Sequence, residues 1–191
     1  MSSRDHVFSI VATLQPVVQG VSTQDADRPT PCPDWTVRDA ANHLLGTAEA
    51  MRRIGAGEPL DPQDPWGTGG DHLHEDWRDD LSDLLTRWAK SWSQPEAWEG
   101  EAMDGAMPKQ VIGDMGFVEV MLHGWDLARG TGQDLAYDDA AVEQALAVMD
   151  EIGEQGRSQG AFGPEKDVPD DASTFARVLA KAGRDSEWTA G

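Results

Sequence analysis

The chain predicts an all-α fold: a four-helix bundle with extra short helices. Three observations carry that expectation. Apolar residues recur at helical spacing through four long stretches. The period-two alternation that marks half-buried strands is nearly absent. One stretch, MGFVEVMLHGWDLA from Met115 to Ala128, is apolar in nearly every direction once wound at about 100° per residue, which marks a helix enclosed on all sides.

Residues 4–21 predict the first helix, with Val7, Ile10, Val11, Leu14 and Val18 on one face and Pro16 as a threat to its continuity. The run RPTPCPDWT, with three prolines, is a stiff connector. Thr36-Val37-Arg38-Asp39 is a start signal of the capping-box type for a second helix. Its core stripe is Val37, Ala41, Leu44, Ala48 and Met51, and it ends before Gly55 and Gly57. Residues 56–70, rich in Pro, Gly and Asp, predict a loop long enough to line the mouth of a site. A third helix is expected over about 71–93, carried by Leu73, Trp77, Leu81, Leu84, Leu85 and Trp88. Residues 94–109 predict an irregular crossing that can hold one short β-hairpin. The enclosed helix covers about 110–129 and stops at Gly130 or Gly132. A further helix follows over 138–153, then a loop over 156–171, a short helix over 172–182 and a frayed tail.

At 191 residues the chain suits a single domain, 1–191, with a core of its own. The formal net charge of −20 argues against nucleic acid and against an anionic membrane surface as partners. No apolar run approaches the roughly 18 residues of a membrane span, and the charged, amphipathic N-terminus does not resemble a signal peptide. The single cysteine, Cys32, cannot form an internal disulfide, which fits a reducing, cytoplasmic setting. Monomer and homodimer are the ordinary choices of assembly.

The chemistry concentrates on the enclosed helix. Glu119, His123 and Asp126 stand at i, i+4 and i+7 and share one stripe. A buried carboxylate is costly unless it is paired or coordinates a metal, and Glu119 with His123 offers two donors of one ion. Alone, E-x-x-x-H is a weak signal in a chain with 35 acidic residues; burial is what raises it. The third ligand has to come from another helix. His43, mid-helix in AANHLLG, is the best placed, although spacing alone equally allows a core-edge histidine bonded to a carbonyl. His72 and His74, amid charges, read as exposed, and His6 lies near a flexible terminus. Asp126 reads either as a residue that orients an imidazole or binds a substrate group, or as half of a salt bridge with Arg129 or Arg38. Cys32, between two prolines beside a helix start, reads as a packed turn residue more readily than as a reactive thiol. GTGG at 67–70 follows no strand and is no phosphate loop.

PTPCPDWTVRDAANHLLG, EVMLHGWDLARGTGQ, FGPEKDVPDDAS and the closing LAKAGRDSEW together resemble the actinobacterial metal-binding proteins related to the N-terminal domain of mycothiol-dependent maleylpyruvate isomerase, within the wider DinB-like group. The resemblance spans nearly the whole chain. It implies a four-helix-bundle core and a divalent metal, zinc foremost, held by two histidines and a glutamate. In this chain those positions are His43 in NHLLG and Glu119 and His123 in EVMLHGWD.

Three protein ligands leave a fourth position open, the catalytic arrangement of zinc. The expected function is therefore a metal-binding, thiol-dependent isomerase or S-transferase, with mycothiol as the low-molecular-weight thiol and a small electrophile as substrate. Two other readings stand beside it. A hydrolase would use metal-bound water with Asp126 as the sequence-local base. A non-catalytic metal- or ligand-binding module would close the coordination sphere, with His72 or His74 as the fourth ligand.

Overall fold

The computed structural model describes residues 2–190. Six α-helices dominate: α1 Val7–Gly20, α2 Val37–Ala56, α3 Trp77–Trp92, α4 Lys109–Thr131, α5 Asp139–Ser158 and α6 Thr174–Lys181. Short 3-10 turns occupy Ser3–His6, Thr23–Asp25 and Pro95–Trp98. Two two-residue strands, β1 Glu101–Ala102 and β2 Met107–Pro108, form an antiparallel hairpin with Ala102 opposite Met107. The crossing segment before α4 therefore does contain the short hairpin.

The four long helices close into a ring. α1 packs on α3, α3 on α2, α2 on α4, and α4 back on α1. Leu14, Leu44, Leu81, Leu85, Trp88, Phe117 and Met121, from all four helices, are completely buried between them. α5 covers the outer side of α4, and α6 packs on α5. This explains the sequence of α4: one side faces the bundle and the other faces α5, so no side of it stays wet. Among the described residues no helix is long and apolar enough to cross a membrane.

The helix ends follow the local chemistry. At the start of α2 the Thr36 backbone N–H and hydroxyl both donate to Asp39 Oδ2, at 2.8 and 2.6 Å, and the Asp39 N–H donates back to Thr36 Oγ1. α4 runs through Gly130 and ends at Gly132, whose φ of +71° terminates the helix at no steric cost.

Four expectations need correction. Pro16 does not interrupt α1; it lies on the exposed side, where water can satisfy the carbonyl its ring leaves without a donor. α3 begins at Trp77, six residues late, because residues 71–76 are pinned along α2 instead: the His72 N–H donates to Asn42 Oδ1 and the Asn42 amide to the Gly70 carbonyl. α5 continues to Ser158, consuming the start of the expected loop. The C-terminal tail is not frayed over residues 183–190. Arg184 is buried, and Arg129 on α4 donates to the Trp188 carbonyl.

Candidate metal centre

α2 and α4 face each other across the bundle, and His43 from the first meets Glu119 and His123 from the second. His43 Nε2 lies 3.0 Å and His123 Nε2 3.3 Å from the same oxygen, Glu119 Oε2. The structure thus brings the three sequence-predicted ligands to one point. Among the described residues no fourth His, Cys, Asp or Glu completes a mutual group with them. Glu119 and His43 keep under a fifth of their side-chain surface exposed, so the cluster opens to solvent on one side.

Asp126, one turn beyond His123 and without solvent exposure, accepts a hydrogen bond from His123 Nδ1 at 3.0 Å. It pairs with neither of the arginines that spacing suggested. Arg38 bridges to Asp71, and Arg129 is committed to the Trp188 carbonyl. Its partner is Arg184, 58 residues away in sequence. Arg184 Nε donates to Asp126 Oδ1 at 2.9 Å and Nη2 to Oδ2 at 2.6 Å, while Nη1 donates to the Ala182 carbonyl. Sequence reasoning assigned Arg184 no role, because a single arginine after Gly183 carries no periodic or spacing signal. Asp126 and Arg184 together form a fully enclosed ion pair behind His123.

The ionisation states follow from these contacts. Burial pushes the Glu119 carboxyl up, but hydrogen bonds from His123 and His43 overcome it and hold it well below the usual carboxylate range. Burial likewise raises Asp126, and the Arg184 charge with the His123 hydrogen bond more than reverses it. Burial alone would lower His123; the bonds to Asp126 and Glu119 win and favour its charged form.

Two further residues line the cluster. The Trp35 indole stacks on His123, with ring centroids 5.1 Å apart and planes 16° from parallel, and leans on His43 at 4.8 Å. It is held there by the proline turn. The Thr30 N–H donates to the Trp35 carbonyl and the Trp35 N–H to the Cys32 carbonyl, with Asp34 in the left-handed region at φ +64°. Cys32 Sγ, a His123 nitrogen and an Asp126 oxygen lie within 4.8 Å of one another. Burial, and to a lesser degree Asp126, Glu119 and Asp34, push its thiol up to about 11 against the opposing pull of Arg184.

The remaining histidines stand apart. His74 is half-exposed and pairs with Asp80 at 2.7 Å. His72 is only partly exposed, and its Nε2 is enclosed without a partner beside Gly46, so the expectation that it is exposed fails. His6, expected near a flexible terminus, is buried next to Phe117. The 56–70 loop reaches α2 through Gly67 and Gly46, on the stripe next to that of His43.

Comparison with known proteins places this geometry. The chain is 29% identical over 164 residues to an uncharacterised protein of Mycobacterium tuberculosis, found in strains CDC 1551 / Oshkosh and ATCC 25618 / H37Rv, covering 82% of this chain and 83% of that one. A crystal structure of a histidine-to-alanine mutant of the mycothiol-dependent maleylpyruvate isomerase has the same fold, with a TM-score of 0.54 at 16% identity over 81% of this chain and 71% of that one. A family model described as the mycothiol maleylpyruvate isomerase N-terminal domain matches residues 8–128, a span that holds His43, Glu119, His123 and Asp126 but not Arg184. The chain belongs to the mycothiol maleylpyruvate isomerase N-terminal domain family.

Proposed function

We propose that this protein holds a divalent metal ion, zinc foremost, through His43 Nε2, the Glu119 carboxylate and His123 Nε2, and works as a thiol-dependent isomerase or S-transferase with mycothiol or a similar small thiol. The observation that carries the reading is the pair of Nε2 atoms converging on one Glu119 oxygen while Asp126 occupies His123 Nδ1. With the Nδ1 proton directed at Asp126, the Nε2 side of a neutral His123 presents a lone pair to an anionic oxygen. That arrangement is unfavourable unless a proton or a metal cation lies between them. A proton on His123 meets that need in the metal-free protein, and the same separations of 3.0 and 3.3 Å are compatible with a shared metal, since tetrahedral bonds of about 2.0–2.1 Å put neighbouring donors roughly 3.3 Å apart. The donor set, two imidazoles and a carboxylate with no fourth protein ligand, is that of a zinc site with one open position.

An ion bound there supplies positive charge that keeps a thiol ionised at neutral pH. The protein's own residues do the rest. Asp126 fixes the face His123 presents. Trp35 packs on both imidazoles and restricts water at their faces. Because Cys32 stays protonated, the nucleophile is a thiolate brought by the co-substrate. Added to a conjugated cis double bond, it leaves a single bond that can rotate, and its elimination returns the trans alkene and the free thiolate. Addition followed by protonation, without elimination, gives the S-transferase outcome.

The structure favours this reading over hydrolysis. Asp126, the base that a hydrolase would need, has both oxygens engaged and no access to solvent. The same geometry weighs against a closed, non-catalytic site, because neither His72 nor His74 joins the trio.

The test is elemental analysis of the purified protein, then mycothiol titration of the cobalt-substituted form. About one equivalent of metal and a sulfur-to-cobalt charge-transfer band are expected, and His43→Ala should lose both. Metal retained at full stoichiometry by His43→Ala, or a cobalt spectrum indifferent to thiol, would overturn the proposal.

A further inference from the structure

Within the family-matched segment only His123 offsets the burial of the Asp126 carboxylate, and the larger share comes from a residue outside that segment. Arg184 sits on the strand of chain that follows α6, just after Gly183, whose φ of +78° turns the backbone back toward α4. Only 5% of Arg184 is exposed. Its Nε and Nη2 take both oxygens of Asp126, and its Nη1 takes the Ala182 carbonyl. Held on both Asp126 oxygens and enclosed by the fold, this guanidinium has no open path to a reactant. A two-pronged grip on a carboxylate also fixes the plane of that carboxylate. The other acceptor site of Oδ2 receives His123 Nδ1–H. The shorter contacts run from Arg184 through Asp126 to His123 Nδ1, which Arg184 Nη2 also approaches directly at a longer 3.4 Å, and they end at the Nε2 that faces Glu119 and His43.

We propose that Arg184 is a positioning residue of the metal centre: acting through Asp126, the C-terminal segment sets the orientation and proton placement of His123, and with them metal affinity. This rests on the metal reading above. It gives residues 182–190 a function, as the part of the chain that completes a centre whose ligands all come from α2 and α4. The partner carboxylate of a ligating histidine is worth 10–100-fold in metal affinity in comparable sites, and an unheld carboxylate can rotate away from its histidine.

The test uses the full-length protein and zinc. Affinity is read by chelator competition, and the hydrogen-bonded Nδ1–H of His123 by its protection from solvent exchange in proton–nitrogen NMR. Arg184→Met is expected to weaken zinc binding 10–100-fold and to expose the Nδ1–H to exchange. In an Asp126→Asn background the same change should cost less than a further twofold, because the link it acts through is already altered. Arg184→Lys, which keeps the charge but not the fork, serves if Arg184→Met fails to fold; it should fall between wild type and Asp126→Asn. Zinc affinity within twofold of wild type in the folded arginine variant, or a loss that multiplies in full with that of Asp126→Asn, overturns the proposal. If the wild-type protein takes up no zinc, the metal reading fails, and the NMR signal alone decides: a protected Nδ1–H in the arginine variant refutes the role of Arg184, and its loss upholds it.

Discussion

Burial decides the character of Cys32. Its thiol is pushed up to about 11, against an ordinary 9.0, so at pH 8 its thiolate fraction is roughly a hundredfold smaller than that of an open cysteine. Alkylation by iodoacetamide at pH 8 should accordingly run about a hundredfold slower in the folded protein than in urea, and its rate should climb about tenfold per pH unit until near pH 11. A folded-state rate equal to the unfolded one would show that the thiol is open and ionisable. This is the packed-turn reading of CPDW, which the sequence already preferred. The meeting of His43, Glu119 and His123 was legible for a related reason: a carboxylate and an imidazole one turn apart on a helix with no wet face have to meet something polar, and His43 stood mid-helix at the edge of a core stripe. Trp35 and Arg184 were not legible. Trp35 is one of eight tryptophans, most of them packing residues, and its place against two imidazoles depends on the left-handed turn at Asp34. Arg184 pairs across 58 residues, and no local pattern encodes such a distance.

Helices are positioned by what their neighbours leave room for, and α2 shows this at Gly46. A Cβ added at Gly46 would stand 1.7 Å from the Gly67 carbonyl oxygen, and one added at Gly67 would meet the Gly46 carbonyl at 2.2 Å. Backbone lies against backbone there, so neither side has a flexible end to move aside. Gly46→Ala should cost about 1–3 kcal/mol, read as a Tm lowered by roughly 2–12 °C in a chain of this length. It should also release residues 67–72 to faster hydrogen exchange while α3 and α4 keep their protection. An unchanged Tm would mean that the loop does not rest on α2. The sequence marked this glycine only as part of NHLLG, since close approach is a property of two segments and not of one. Elements with their own start and stop chemistry were legible: the Thr36–Asp39 box and Gly132 bound α2 and α4 where their residues predict. Boundaries set by tertiary contacts were not, which is why α3 starts late, where Asn42 holds the chain down on α2.

Across the whole molecule, 35 acidic residues face 15 basic ones, and several of the basic groups are already spent. Arg28, Arg38, Arg52, Arg53, Arg157, Lys181 and Arg184 each sit in an ion pair with a nearby carboxylate. The excess negative charge is therefore distributed over the surface without compensation, and it repels itself more strongly in the compact state than in the expanded chain. At about 0.01 M ionic strength the screening length is about 30 Å, comparable to the size of the domain, so nearly every surface carboxylate feels the others; at 0.15 M it is about 8 Å, and only near neighbours interact. The attractive pairs are short-range and are screened less than the long-range repulsion, so the net effect of salt is favourable. Raising NaCl from 0.01 to 0.15 M, with a chelator present so that metal occupancy stays constant, should raise Tm by several degrees. Most of the gain should come below 0.1 M, where the screening length changes fastest relative to the spacing of surface charges. A Tm that fell with salt would mean that the ion pairs, and not the unpaired carboxylates, dominate the electrostatics of the fold, and the largest loss should then be traceable to the exposed Arg38–Asp71 pair, leaving the enclosed Arg184–Asp126 pair unaffected.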